Sequence, residues 1–326
     1  MRISLATISA LSIGLVGCSS MGEYSNHSST NEKAAAQAVA NLASGSTSVS
    51  QLSKIALDKT AANIASTAAA AVDGAISNSR TEFSLTDVSK GGKSRFEIVN
   101  VTGLELAPDG RKQSFLQSSL HNTGNRATLN VGYGQRFLSE NEEWLTGMNM
   151  FLDYSRYGHQ RVSLGGEVRS SAFELNANKY FGLTDWRTGK NGSQEKALSG
   201  YDVELGMQIP YVPSTKFYVK QFMWDRIDTA DVKGKTYSLE FAHMFGTGIS
   251  LALGQRNYAG ADTDDTFAKV TYRIPLGNVA AKTSSTDVIS KRMFENESMK
   301  SKMLDKVRRN NAMVVQTKFT AEVGGV

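Results

Sequence analysis

The stretch Ala127-Thr128-Leu129-Asn130-Val131-Gly132-Tyr133-Gly134-Gln135-Arg136 decides the fold. It alternates strictly. Ala127, Leu129, Val131 and Tyr133 share one face; Thr128, Asn130, Gly132, Gly134 and Arg136 share the other. Successive side chains of an extended strand point to opposite faces, so a period of two with unlike faces marks a strand lying between two different environments. The pattern repeats outward from this run. Met148, Met150, Leu152 and Tyr154 oppose Gly147, Asn149, Phe151 and Asp153. Phe173, Leu175 and Ala177 oppose Glu174, Asn176 and Asn178, and Tyr201, Val203, Leu205, Met207 and Ile209 oppose Asp202, Glu204, Gly206 and Gln208. Segments 161–169, 237–242 and 268–274 alternate likewise, and weaker ones lie near 82–88, 94–103, 113–121, 214–224 and 247–257. Together they give about twelve strands, an even number, which predicts an all-β transmembrane barrel of antiparallel strands over residues 81–276.

A soluble β-sandwich also alternates. Two features favour the barrel. The polar faces carry charges of both signs, as a wet lumen would: Arg136, Asp153, Arg161, Glu167, Arg169, Glu174, Asp202, Glu204, Glu240, Lys269 and Arg273 are the expected lumen-facing set. The connections also alternate in length, long at 182–198, 224–233 and 258–265 and short at 209–213 and 245–248, as in a meander with loops on one side and turns on the other. Aromatics near strand ends (Trp144, Tyr154, Tyr157, Tyr180, Phe181, Trp186, Tyr211, Trp224 and Tyr258) are candidates for interfacial girdles.

The bulk composition agrees. A hydrophobic content of 40% argues against a helical membrane bundle but suits strands that average two unlike faces. Glycine is frequent (29) and proline scarce (4), as ladders that need every backbone donor require. The net charge of +5 comes from a basic C-terminal segment without a basic-aromatic patch, so no nucleic-acid partner is expected. His27, His121, His159 and His243 stand far apart beside a single cysteine. No catalytic, metal or cofactor site is expected, and the chain does not read as an enzyme.

The two ends have a different character. Met1-Arg2 precedes a largely apolar run through Val16 and then Gly17-Cys18, which resembles a bacterial lipobox. The run is shorter than the roughly 20 residues of a membrane-spanning helix. Residues 1–17 therefore read as a lipoprotein signal peptide and Cys18 as the lipidated residue; an ordinary signal with a chance cysteine is the alternative. Residues 18–80 read as a periplasmic tether with Ala-rich helices near 32–42 and 50–77. Residues 277–326 read as a C-terminal helix and linker. The helix is expected over 287–309, basic through Lys302, Lys306, Arg308 and Arg309, with a partial apolar stripe of Met299, Met303 and Val307. Such a helix could pair with the lumen carboxylates; those carboxylates could equally pair with Arg136, Arg161, Arg169, Arg256, Lys269 and Arg273 across the wall.

Six ordered segments resemble a known family: Asn125–Arg136, Met150–Tyr154, His159–Glu167, Leu175–Phe181, Gly200–Glu204 and Leu304–Val315. They are similar to the inverse-autotransporter (intimin/invasin) β-barrel domain, and together span roughly residues 81–318. The resemblance implies a twelve-stranded bacterial outer-membrane barrel with a periplasmic N-terminus. It also implies a chain that returns through the pore toward surface-exposed adhesive domains. Barrel-assembly machinery, periplasmic chaperones and outer-membrane lipid are the partners it implies. About 14 residues follow Ala312. At 3.3–3.6 Å per extended residue these reach under about 50 Å, just enough to cross a bilayer of about 40–45 Å, so no sizeable passenger is expected in the chain. Three functions follow as expectations. The first is a type Ve-like translocator and anchor that displays a short tail or exports a separately encoded passenger. The second is a surface adhesin acting through loops 182–199, 224–236 and 258–266. The third is a small passive pore.

Overall fold

The computed structural model describes residues 79–86, 95–123, 126–227, 229–244, 248–260, 264–274 and 289–318. The signal, Cys18 and the Ala-rich helices expected before residue 79 lie outside them. Among the described residues, twelve antiparallel strands close into one barrel. In chain order these are β1 (Ser79–Thr86), β2 (Arg95–Leu106), β3 (Lys112–Thr123), β4 (Arg126–Leu138), β5 (Leu145–Ser155), β6 (Gln160–Arg169), β7 (Phe173–Gly182), β8 (Gly200–Ile209), β9 (Val212–Trp224), β10 (Val232–Met244), β11 (Ile249–Ala259) and β12 (Asp265–Ile274). Each pairs with its sequence neighbours, and β1 closes the ring on β12 through Thr81–Ile274 to Thr86–Lys269. Closure leaves no unpaired edge, the condition for a sheet to sit in lipid, where an open backbone group has no water to bond.

The two faces are inverted relative to a soluble protein. Met148, Met150 and Leu152 are more than half exposed, whereas Arg136, Asp153 and Arg161 are fully buried. A soluble sandwich would bury the first group and expose the second, so the outward apolar wall and inward polar wall identify a membrane barrel. One rim carries the compact connections 107–111, 139–144, 170–172 and 210–211. The other carries 156–159, 183–199 and 225–231, including the longest. We refer to these as the short-turn rim and the long-loop rim.

Inside the wall, five aromatic rings lie across from glycines on a neighbouring strand: Phe115 on Gly134, Phe151 on Gly132, Tyr218 on Gly206, Phe222 on Gly234 and Phe267 on Gly254. A Cβ at any of these glycines would overlap the facing ring. The missing side chain lets each ring lie flat against the sheet and leaves the centre of the barrel open to another segment.

That segment is the tail, and here two expectations need correction. The helix expected over 287–309 is not formed among its described residues. They contain one 3-10 turn, Met299–Lys302, with Ser298 as its cap, and beyond it Lys306, Arg308 and Arg309 lie on irregular backbone. Among the aromatics, Tyr180 and Trp224 are buried on the inner face rather than placed in an outer girdle, whereas Trp144, Phe181 and Tyr211 are exposed. Tyr180 has the same strand parity as Glu174, Asn176 and Asn178, which fixes it inward.

The wall assignment carries a measurable consequence. A Met150→Arg substitution near the middle of the lipid-facing side of β5 should destabilise the barrel in lipid vesicles by about 2–4 kcal/mol in chemical unfolding. A cost within about 0.5 kcal/mol, as at a water-exposed surface position, would contradict a lipid-facing wall.

Candidate functional site

The site is the lumen with residues 289–318 threaded through it. At the short-turn rim the tail braces the turns. The Tyr211 N–H donates to the Met293 carbonyl at 2.9 Å and the Ser290 N–H to the Tyr211 carbonyl at 2.7 Å. Tyr211 needs this support, because it holds a positive φ of 65° without being glycine. Phe294 packs on Phe173, and the Met299 N–H donates to the Glu142 carbonyl at 2.8 Å.

The tail then enters the barrel. Met299 and Met303 fill an apolar niche with Leu138 and Leu145; Val307 fills a second with Val99, Val101, Phe115 and Phe151. Between them Asp305 meets basic groups from three strands: Arg80 of β1, Arg169 of β6 at 3.4 Å and Arg273 of β12 at 3.8 Å. Lys302 lies 3.8 Å from the same carboxylate and Lys306 2.8 Å from Glu82. At mid-pore Arg308 donates to Glu204 at 3.0 Å and to Glu240 at 3.2 Å. Arg309 grips Asp153 with both terminal guanidinium nitrogens, at 3.0 and 2.8 Å. Asp153 also accepts from Arg161 at 2.8 Å and from Asn130 at 2.7 Å, so three side chains hold one wall carboxylate.

The two arginines are placed by the flat rings. The Arg308 guanidinium lies 3.8 Å from the centre of Tyr218 and that of Arg309 4.3 Å from Phe151. Arg136 sits 4.5 Å over Phe115 in the same way. Each is a stack of wall glycine, aromatic ring and guanidinium, in which the ring face attracts the cation while the planar group keeps its in-plane donors for carboxylates.

The lumen also explains why the tail is not helical. Beyond the turn that ends at Asp305, its described backbone bonds run mainly to the wall. Arg136 donates to the carbonyls of Met303 and Asp305, Arg161 to Asn310, Asn178 to Arg308 and Asn130 to Asn311. In return, the Val307 N–H donates to Gln117 Oε1 and the Asn310 N–H to the Tyr180 hydroxyl. A helix would satisfy these groups internally and strand the wall donors.

Of the predicted lumen set, Asp153, Glu204 and Glu240 pair with tail cations, while Arg136, Arg161 and Arg169 meet tail backbone or Asp305. Wall-to-wall pairs coexist with these: Arg136 with Glu167, Arg161 with Asp153, Arg273 with Glu82, Lys269 with Glu97 and Lys216 with Glu174. Asp202 accepts from Asn178 and the Tyr180 hydroxyl, both at 2.7 Å, and is not in the tail's ion pairs. The two readings of the lumen charges are thus complementary. Glu82, Glu97, Gln117 and Asp305 carry no such mark in the sequence, whereas Asn130 lies on the polar face of its strand as expected. The first two sit in weakly patterned strands and Asp305 hides in a basic run.

Beyond Asn311 the tail reaches the long-loop rim. Val315–Thr317 pairs antiparallel with Gln194–Ala197, which pairs in turn with Arg187–Thr188. The Gln316 side chain closes a two-bond bridge to the backbone of Ile227, at 2.7 and 2.8 Å. Behind this sheet, Glu195 is held by Arg126 at 2.8 Å, and the buried His159 bonds the Glu195 carbonyl at 3.1 Å and the Ser155 hydroxyl at 3.1 Å.

Comparison with known proteins follows the same lines. Residues 27–311 match the family described as "Inverse autotransporter, beta-domain". The chain is 26% identical over 217 residues to the "Inverse autotransporter adhesin YeeJ" of Escherichia coli (strain K12), covering 62% of this chain and 9% of that protein. It is 30% identical over 102 residues to a "Putative attaching and effacing protein homolog" of the same organism, covering 30% of this chain and 34% of that one. The chain thus spans a small part of the length of these relatives. A solved chain from "Unveiling the Mechanism Behind the in-meso Crystallization of Membrane Proteins" shares the fold, with a TM-score of 0.62, 18% identity, and coverage of 74% of this chain and 99% of that one.

One consequence concerns pH. Burial holds the His159 imidazole below its ordinary 6.5; Arg126 and Arg187 act in the same direction, and the hydrogen bond and charge of Glu195 oppose them. A depressed histidine value favours the neutral ring in the folded state, so its stabilising contribution is complete above pH 6.5 and is lost as pH falls through the lower folded value. The protection of the Glu195–Ala197 amides, taken as the exchange rate relative to its intrinsic value at each pH, should therefore fall between pH 7.5 and pH 5, and a His159→Gln variant should lose most of that pH dependence. Equal protection at both pH values would contradict this. By family match, by barrel closure and by an inverted wall, the chain belongs to the inverse autotransporter β-domain family and is an outer-membrane barrel.

Proposed function

We propose that the protein is a translocator and anchor of type Ve-like character, arrested with its own C-terminal segment across the pore. The observation that carries the reading is the tail's path. It contacts the short-turn rim at residues 290–299, the mid-lumen at 307–311 and the long-loop rim at 314–318. In this reading the short-turn rim is periplasmic and the long-loop rim extracellular. An even strand count then places β1 and the end of β12 on the periplasmic side. Cys18, with the signal before it, would add a lipid anchor. The barrel-assembly machinery and periplasmic chaperones would handle insertion, and a cargo would be displayed after Lys318 or supplied as a separate passenger.

Surface adhesion is a second reading, favoured by the docking of the 183–199 loop on the emerging tail, which gives that face a fixed shape. The relatives named as an adhesin and an attaching and effacing homolog point the same way. A passive pore would first require the tail to leave. Deleting residues 278–326 and measuring conductance in planar bilayers tests the main reading. The deletion should raise single-channel conductance several-fold over the full chain. Unchanged conductance would contradict a tail that occupies the pore.

A further inference from the structure

The outer wall carries a feature that pore threading does not use. On the lipid-facing side of the described strands, the charged side chains are Lys112 at the short-turn rim and Lys179, Lys233 and Lys235 near the long-loop rim. No described acidic side chain shares that face. The last three lysines belong to β7 and β10, two strands separated only by β8 and β9. Register places Lys179 beside Tyr201, Tyr201 beside Met223 and Met223 beside Lys233, all within a few residues of the rim. Lys235 follows on the same face beside Gln221 and Asn257. Tyr201, Gln221, Lys233, Lys235, Tyr237 and Asn257 line an outward groove of roughly 320 Å³.

A lysine facing lipid is costly at mid-membrane and tolerated near the interface, where its amine reaches the headgroups. Lys179 lies 5.9 Å from the rings of both Phe181 and Tyr201, a packing that supports its stem. Lys233 has one carboxylate nearby, Asp231 at 3.6 Å. Among the described residues no carboxylate pairs with Lys179 or Lys235. Three amines near one rim, two of them in the groove and Lys179 beside its Tyr201, with a single acid at the edge, form a surface complementary to phosphate oxygens. Lys112 at the other rim instead packs 5.7 Å from Phe137, and among the described strands no second lipid-facing amine lies at that rim.

We propose that this groove binds the phosphate groups of an anionic lipid headgroup in the leaflet that meets the long-loop rim. The lysines act as point charges, and Tyr201, Gln221 and Asn257 contact the polar part of the lipid. The site would fix the depth and rotation of the barrel in that leaflet.

The test uses the full chain in phosphatidylcholine nanodiscs containing a few per cent of bisphosphorylated lipid A, or of the same lipid without its phosphates. Co-purifying lipid is counted by native mass spectrometry. The wild type should retain the phosphorylated lipid, and a Lys179→Gln, Lys233→Gln, Lys235→Gln variant should retain it at least about tenfold less well, each lysine near an anionic surface contributing separately. Lys112→Gln should match the wild type, and the single Lys235→Gln variant should lie between, which guards against misfolding of the triple variant. Equal retention of the two lipids by the wild type would overturn the proposal, as would a triple variant that binds like the wild type while shifting normally on a heat-modifiability gel. A loss as large for Lys112→Gln would also overturn it.

Discussion

The structure depends on the carboxylate of Asp153, fully buried in the wall and held from three directions. Arg161 reaches it from the neighbouring strand, Asn130 from the strand on the other side, and Arg309 from the tail. A buried carboxylate is costly unless paired and hydrogen-bonded, and a buried guanidinium equally so. Withdrawing Arg309 would leave Asp153 with less than its full set of donors and bare the ring of Phe151. The wall is therefore built for an occupied lumen. The same logic repeats at Glu204 and Glu240 around Arg308, at Glu82 around Lys306, and in reverse at Asp305, where the tail supplies the anion and the wall the cations.

This reciprocity makes the tail specific. A uniformly basic segment could move along an acidic pore with little change in energy. In the observed register Asp305, Lys306, Arg308 and Arg309 each meet wall groups of opposite sign, while Lys302 pairs with Asp305 of the tail itself. Wall donors that bond tail carbonyls fix the backbone in that register as well. Interrupting a buried charge pair by removing one partner costs about 3–5 kcal/mol, whereas the intact pair contributes little net stability. The pairs therefore contribute positional specificity, and the apolar niches around Met299, Met303 and Val307 supply the burial.

The strands were legible because each separates lipid from a wet interior, and that contrast is written at period two in runs such as Ala127–Arg136. The lumen charges were legible for the same reason. The tail was legible in content but not in form. Met299, Met303 and Val307 recur at helical spacing, and each is indeed buried, but in two wall niches rather than along one helix face. Nothing local in the chain reveals that its carbonyls are bonded by Arg136 and Arg161, more than a hundred residues away. Tyr180 and Trp224 looked like rim aromatics because they end strands; their parity with inward neighbours, not their position, decides their side. The glycine–aromatic–arginine stacks were invisible for a related reason, since they need the cross-strand register.

The most direct measurement of the threaded state is a disulfide between two residues that only threading brings together. Ala197 and Val315 are register partners across the short sheet at the long-loop rim. Facing residues of an antiparallel pair have Cβ atoms about 4.5–5.5 Å apart, near enough for a disulfide to close with a small adjustment. A chain carrying Ala197→Cys and Val315→Cys should oxidise almost completely in intact outer membranes and run as a cross-linked loop on non-reducing gels, and a chain carrying either cysteine alone should not. A pair that stays reduced under oxidising conditions, in a barrel that still resists denaturation before heating, would contradict the account.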